Sequence, residues 1–472
     1  MEGYRYRAVE SHIIRLLDSG ALNSGDKLPS LRGLSRSLRV SVSTVNQAYL
    51  ELEKRGVIES KPRSGFFVNE QLAKMPAPVV QKGELLEPTT VNRSQLIKTV
   101  LHAIGDRSLT QLGIIEPASK FLPCNEIGRS MRSILKENPY EAINYASVEG
   151  WEPLRRQICF RSLDAGISIT PDDVLITHGA MEALYLALRT LTRPGDNVLI
   201  QSPAYFCFLQ LLENCGLRAI EVPSSPEHGV DIEKLQLAVD KYDIKACIFN
   251  ANFSNPDGSV SSAESKKEIV RILAKRNIPL VEDDVSGETA FNGEHPSTFK
   301  QFDTTGTVFY CSSYSKTLVP GYRIGWCLPG KFYSRTYDVK ATTNVCSVVP
   351  TQIAVADYLA TGKYNKHLKK LQAIYEHNMH TMLGAIARFF PEGTRATRPK
   401  GGGVIWIELP AGVDGVRLFY KASEHGIGIA PGSIFSTHEE YSNYIRLSFC
   451  GEWSDATEEG MKTLGKLIAD MV

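Results

Sequence analysis

The run Cys311-Ser-Ser-Tyr-Ser-Lys-Thr-Leu-Val-Pro-Gly-Tyr-Arg323 sets a single lysine, Lys316, among hydroxyls, with an arginine seven residues further on. It follows the β-rich Val308-Phe-Tyr310 by a few residues. A lysine in that setting can form a Schiff base beside a phosphate cup. Arg323 offers a planar fork for phosphate oxygens, while Ser313 and Ser315 offer hydroxyl donors. The plain alternative is a surface lysine in a loop. What decides between them is whether other chemistry-bearing residues also fall just past strands.

Outward from that run, short β-rich segments alternate with amphipathic ones. Strand candidates are Val174-Leu-Ile-Thr177, Val198-Leu-Ile200, Cys247-Ile-Phe249, Pro279-Leu-Val281 and Val308-Phe-Tyr310, with helical stretches at 180–191, 206–215 and 262–276. This alternation predicts a mostly parallel α/β sheet, whose ligands sit beyond the carboxyl ends of the strands. Asp283 closes Ile278-Pro-Leu-Val-Glu-Asp at such an end. A carboxylate there can hold the protonated ring nitrogen of pyridoxal phosphate and keep the ring an electron sink; otherwise it is a solvated acidic turn. Asn255, in Ser254-Asn-Pro-Asp-Gly258, can donate to the cofactor's phenolic oxygen or simply form an Asn-Pro turn. Thr177-His-Gly-Ala-Met-Glu182 reads as strand, glycine turn and helix, so the Ala180 and Met181 amides can cradle phosphate. Tyr205 can stack on a ring or be a half-buried aromatic.

Together these motifs resemble the fold-type I aminotransferases, over roughly residues 91–472. The resemblance implies that Lys316 carries pyridoxal 5'-phosphate, Asp283 pairs with its pyridine nitrogen and Asn255 contacts its phenolic oxygen. Arg323, Ser313 and Ser315 would bind phosphate. Tyr145, in Asn144-Tyr-Ala-Ser-Val-Glu-Gly150, matches a tyrosine that reaches the phosphate of the neighbouring subunit. Arg446, in Tyr444-Ile-Arg-Leu-Ser-Phe449, matches an arginine that clamps a substrate carboxylate. One departure stands out. The family often has a tyrosine two or three residues after the aspartate, where this chain has Val285 and Ser286, which should alter the linkage's proton affinity and weaken catalysis. Cys207, two residues after Tyr205, supplies no second arginine of the kind used by some amino-acid sensors of this architecture.

The 472 residues suffice for more than one domain, and 43% hydrophobic with 22% charged is ordinary globular composition. No apolar run reaches a membrane span, and the first twenty residues form no apolar signal core. Nine scattered cysteines without a Cys-x-x-Cys pair fit reduced thiols in a cytosol and exclude a metal ribbon, so no metal is expected. The net charge of +1 hides an asymmetry. Residues 1–68 hold 11 Lys+Arg against 7 Asp+Glu, and the rest hold 42 against 45.

That basic head has its own pattern. Residues 4–19 suit an amphipathic helix, Ser30 can cap a short helix to Leu38, and Ser41 or Ser43 can cap another to about Arg55, stopped by Gly56. Residues 57–68 read as strand, basic turn and strand. Two short helices joined tightly, the second exposing Ser41, Ser43, Thr44, Asn46 and Gln47 at its start, suit a major groove, with Arg32 and Arg63 supplying charge. A small protein-interaction module is the alternative. Gly25-Asp-Lys-Leu-Pro-Ser-Leu-Arg32, Val40-Ser-Val-Ser-Thr-Val45 and Lys61-Pro-Arg-Ser-Gly-Phe-Phe-Val68 resemble the GntR-family winged helix over nearly all of residues 5–68. The resemblance implies that Arg32, Ser41, Ser43, Thr44, Asn46, Arg63 and the wing around Gly65 approach DNA.

Residues 69–90, with Pro76, Pro78, Gly83 and Pro88, read as a semi-extended linker able to hold head and body well apart. The expected architecture is therefore a winged helix-turn-helix at 1–68, a linker at 69–90 and an aminotransferase-like α/β body at 91–472. That combination resembles the MocR subgroup of bacterial GntR-family regulators. It implies a cytoplasmic homodimer on double-stranded DNA, signalled by a small amine, an amino acid or pyridoxal phosphate itself. A working aminotransferase with an auxiliary DNA-binding head is the second reading, because every cofactor-fixing position except the tyrosine is present. A DNA-binding architectural protein with a relic body is the third.

Overall fold

The computed structural model describes residues 5–19, 21–23, 25–54, 56–61, 64–69, 76–79, 87–91, 94–137, 139–438 and 440–472. In the head, α1 (Arg5–Asp18), α2 (Leu31–Leu38) and α3 (Val42–Lys54) precede a two-stranded wing, β1 (Ile58–Lys61) against β2 (Gly65–Val68). Both caps have a side-chain acceptor. Ser30 Oγ accepts from Gly33 N, and Ser41 Oγ, rather than Ser43, accepts from Thr44 N. Gly56, at φ +68°, turns the chain out of α3. Ile13, Leu34, Val45, Tyr49, Leu52 and Val68 close a separate small core, and the Tyr49 hydroxyl donates to Pro29 O at 2.8 Å.

The body's main sheet runs β3 (Thr89–Thr90), β7 (Arg218–Ser225), β6 (Asn197–Ser202), β9 (Ile244–Asn250), β10 (Leu280–Asp283), β11 (Val308–Ser313), β12 (Ile324–Leu328), β5 (Leu175–His178), with β8 (Gly229–Val230) on β7. From β7 to β11 the pairs are parallel, whereas β12 is antiparallel to both neighbours. All five expected strands are present, and the helices Ala180–Leu191, Phe206–Asn214 and Ala263–Lys275 fall where amphipathic stretches predicted them. These helices cover a sheet whose central strands are buried on both faces, as parallel strands require.

A second, smaller layer follows the long helix Tyr364–Phe389. Its sheet runs β13 (Arg395–Ala396), β14 (Val404–Glu408), β17 (Tyr444–Ser448), β16 (Ala430–Pro431), and a separate pair joins β15 (Ile427–Gly428) to β4 (Thr110–Gln111). The segment read as a free linker is anchored at both ends of its described part. Ala396 N donates to Pro76 O at 3.1 Å, Pro78 is buried, and Thr89 and Thr90 pair with Ala219 and Arg218 as an edge strand. Two residues of that segment thus belong to the body's sheet. An unpaired edge on β7 explains why so short a run becomes strand.

Candidate functional site

Strand ends deliver the site. Asp283 is the last residue of β10, and Lys316 lies three residues past β11. Asp283 Oδ2 accepts from Asn250 Nδ2 at 3.1 Å, whereas its Oδ1 is buried without a hydrogen-bond partner. Burial first, and then neighbouring Asp284, push this carboxyl up to about 7. A cationic N–H donor at Oδ1 would satisfy the orphaned oxygen and return the group to its charged form. Lys316 has its Nζ 2.6 Å from Ile115 O, and burial lowers its pKa, a shift toward the neutral, nucleophilic amine. Asp283 and Lys316 lie close enough to shift one another.

Opposite them, β17 carries Arg446, which is 2% exposed. Its Nη1 donates to Asn255 Oδ1 at 2.9 Å and its Nη2 to Gly113 O, but its Nε is buried without a partner. Burial lowers its pKa to about 10, so it remains a cation at neutral pH. Arg446 and Asn255 are therefore brought together across the two layers, with a guanidinium edge left unsatisfied. Tyr205 stands at the start of the helix Phe206–Asn214, edge-on to Phe206 and Phe208. Its hydroxyl and the Cys207 thiol are hydrogen-bond partners, and burial pushes Cys207 up to about 11. Cys207 is thus a neutral group in the site.

The third cluster is an anion cradle. Arg323, with φ +55°, donates from Nη1 to Ser315 Oγ at 3.2 Å and from Nη2 to His178 O at 3.4 Å. Gly179, with φ +78°, begins the helix Ala180–Leu191, and a Cβ there would collide with the Arg323 guanidinium. Ser313 lies buried beside Ser315, whose N–H approaches its Oγ at 3.4 Å. Guanidinium, hydroxyls and the open first-turn amides of Ala180 and Met181 converge at a helix N-terminus, the arrangement that suits phosphate. Tyr145 stands apart: it is 87% exposed. Val285 and Ser286 are half-buried just past Asp283.

Several supporting residues escaped the sequence reading. Asn250 holds Asp283, and Gln201 Oε1 in turn accepts from Asn250 N at 2.9 Å. Behind Asp283, Asp284 is gripped by Asn252, Tyr310 and His295 at 3.0, 3.0 and 3.2 Å. The long helix clasps the lysine loop: Tyr364 OH donates to Thr317 Oγ1, His367 Nε2 lies 2.6 Å from Thr317 O, and Tyr375 OH donates to Lys316 O. Asn250, Gln201 and Asp284 do lie at strand ends, but nothing in their spacing marks which partner each one holds. Each acts through a contact distant in sequence.

On the head, Arg32, Ser41 and Ser43 are exposed, while Thr44 and Asn46 are half-exposed. Ser41 Oγ lies 2.8 Å from Ser43 Oγ and 2.7 Å from Thr44 Oγ1, a linked row of hydroxyls at the start of α3. Gly65 opens β2 at φ +100°, and Arg63 lies outside the described residues. A polar helix start beside a β-wing is the shape of a groove reader.

Comparison with known proteins agrees with this division. Residues 5–68 match the gntR family of bacterial regulatory proteins, and residues 123–464 match the aminotransferase class I and II family. The HTH-type transcriptional regulator YdcR of Escherichia coli is 34% identical over 467 residues, covering 99% of both chains. A second Escherichia coli HTH-type transcriptional regulator, YjiR, is 33% identical and covers 98% of both. Among solved structures, the Pyrococcus horikoshii kynurenine aminotransferase superposes with a TM-score of 0.73 at 28% identity, over 79% of this chain and 94% of that one. These regulators match along the whole chain, whereas the superposed aminotransferase covers 79% of it. The chain belongs to the MocR-type GntR-family transcription regulators, in which a DNA-binding winged helix is joined to a pyridoxal-phosphate-dependent, aminotransferase-like body.

Proposed function

We propose that the body senses a small primary amine, an amino acid or pyridoxal phosphate itself, and that its occupancy sets the DNA affinity of the head. One observation carries this reading. A buried carboxylate with an orphaned oxygen, a neutral-leaning lysine and a guanidinium with an unsatisfied edge face one site. Pyridoxal phosphate supplies an electrophilic carbonyl carbon and an electron-withdrawing ring. Lys316 would hold it covalently, Asp283 would accept the ring N–H at Oδ1, and Asn255 would donate its amide to the phenolic oxygen. Arg323, Ser313, Ser315, Ala180 and Met181 would bind the phosphate, Tyr205 would back the ring, and Arg446 would take an effector's carboxylate. On the head, Arg32, Ser41, Ser43, Thr44 and Asn46 would meet a major groove, with Arg63 and Gly65 in the wing.

The active form in this reading is a homodimer in the bacterial cytoplasm. Tyr140, Ile143, Tyr145 and Val348 are 76%, 79%, 87% and 53% exposed, and a second copy covering them would carry Tyr145 to its phosphate site. Among the described residues no helix is long and apolar enough to cross a membrane. The domain limits proposed are 1–68 for the head and 91–472 for the body, joined by a tether, 69–90, whose Thr89 and Thr90 pair with the body's sheet.

Borohydride reduction tests the cofactor assignment. The holo protein is expected to yield a stable phosphopyridoxyl adduct on Lys316, and Lys316→Ala to yield none while unfolding at an unchanged temperature. An adduct retained in Lys316→Ala refutes the assignment. A second reading, residual transamination, is favoured by the complete set Lys316, Asp283, Asn255 and Arg446. Multiple-turnover assays with amino and keto acids separate it from pure sensing.

A further inference from the structure

The tether that leads to the head is held by β14 and β17, and β17 is the strand that carries Arg446. Val79 N donates to Glu408 Oε2 at 2.8 Å, and Val79 O accepts from Tyr444 OH at 3.4 Å. Glu408 ends β14, Tyr444 opens β17, and the two face one another in the ladder. The single Tyr444 hydroxyl proton is shared between Val79 O and the Glu408 carboxylate, so both groups that grip Val79 are themselves linked. Two residues along β17, on the same face of the strand, stands Arg446.

An aromatic chain fills the space between. The Arg446 guanidinium lies over the Phe435 ring at 5.3 Å, Phe435 meets Trp406 edge-on at 5.4 Å, and Trp406 stacks on Tyr444 at 5.1 Å. Trp406 is the ladder partner of Arg446, as Glu408 is of Tyr444. The path from guanidinium to tether is therefore continuous contact. The tether is also fixed to the large layer, through Thr89 and Thr90 on β7, but that anchor lies on the far side of residues 80–88 from the head. The anchor nearer the head is the small-layer one.

We infer that the Glu408–Tyr444 dock for Val79 is the coupling surface between the carboxylate site and the DNA-binding head. The inference rests on the reading that Arg446 takes an effector carboxylate. At present the guanidinium spans from Gly113 O to Asn255 of the large layer and leaves Nε unused. A bidentate carboxylate would claim two of its donors and re-aim it against Phe435. Close-packed rings pass such a change by discrete repacking rather than absorbing it. Tyr444 and Glu408 then present a different seat to Val79, and the head, joined ten residues upstream at Asn69, is re-placed.

Two cofactor analogues test this on the full-length chain: N-(5'-phosphopyridoxyl)-L-alanine, which carries a carboxylate, and pyridoxamine phosphate, which does not. The alanine adduct is expected to bind more tightly than pyridoxamine phosphate, and Arg446→Ala to remove that preference. It is also expected to change Val79 amide exchange at least tenfold, and affinity for a DNA fragment selected by the full-length protein about tenfold. Val79→Pro removes the N–H at a half-exposed position and keeps a side chain of similar size, so little packing is lost. It should bind both analogues as wild type does, yet show one DNA affinity with either. Glu408→Gln, which keeps an acceptor, should keep the difference, and Glu408→Ala should lose it. If the Val79→Pro protein retains the tenfold difference, or if Val79 exchanges equally with both analogues, the coupling surface is overturned and the Arg446 reading survives. If wild type binds the two analogues equally, both fall.

Discussion

Asp283 shows what one residue would do for the cofactor in the proposed reading. Its carboxyl is buried, one oxygen held by Asn250 and the other without a partner, and its proton affinity is raised accordingly. A pyridinium N–H would turn that cost into a buried, hydrogen-bonded ion pair, whose loss from one side costs about 3–5 kcal/mol. Asp283→Asn preserves shape and removes the charge. It is expected to weaken pyridoxal phosphate at least a hundredfold in equilibrium dialysis, and an affinity within threefold of wild type would contradict the role. Lys316, Asp283 and Asn255 were legible in sequence because each follows a β-rich run by a few residues, where an α/β sheet puts its ligands. Asn250 and Gln201 follow β-rich runs just as directly, yet they were not singled out. Their importance lies in which atoms they touch, and Asn250 and Asp283 meet only because β9 and β10 pair in that register. Sequence spacing carries no trace of it.

At the level of elements, β10 divides its labour by face. Asp283 looks into the site, while Glu282 and Asp284 look the other way into a buried polar layer. Glu282 accepts from Phe299 N and Lys300 N at 2.7 Å each, and Asp284 holds His295. Burial alone would lower the His295 pKa, but the charge of Asp284 outweighs it and raises it to about 9. A histidine whose folded pKa exceeds its unfolded value near 6.5 gives its stabilisation fully below that value and loses it as pH rises through 9. The melting temperature is therefore expected to decline between pH 6.5 and 9, and the decline to flatten in His295→Gln. An unchanged slope in the variant removes His295 from the account. The acidic end of β10 also fits a solvated turn when read as sequence, and only the return of residues 295–300 over it makes it interior. The helices Ala180–Leu191, Phe206–Asn214 and Ala263–Lys275 were legible at nearly their true limits from their 3.6-residue period, whereas the 26-residue helix Tyr364–Phe389 was not placed. The strands β7, β12 and β14 were not placed. Short runs buried on both faces, such as Val404-Ile-Trp-Ile407, show no alternation to read.

On the scale of the whole molecule, the decisive length is the free tether. As sequence, residues 69–90 allow about twenty extended residues, enough to carry a head tens of ångströms from its body in any direction. In the folded chain Pro76 and Val79 are fixed to the small-layer sheet, so only the steps from Asn69 to Pro76 remain to place the head. At no more than about 3.6 Å per residue, those seven steps span at most about 25 Å. In the proposed homodimer the separation of the two heads is then set by the two bodies, with little slack from the tethers. This determines how DNA should be read. A long free tether would accept two half-sites at many separations, and the affinity would fall only slowly with spacing. A short tether fixes both distance and helical phase, because half-sites must face the same side of the duplex, one turn being about 10.5 base pairs. Inserting five base pairs between the half-sites of a bound fragment turns one of them to the opposite face. The insertion is expected to cut affinity at least tenfold at fixed salt, and ten base pairs to restore part of it. Equal affinity for all three fragments in an anisotropy titration would mean that the heads move independently of the body, and that the anchor at Val79 does not hold in solution.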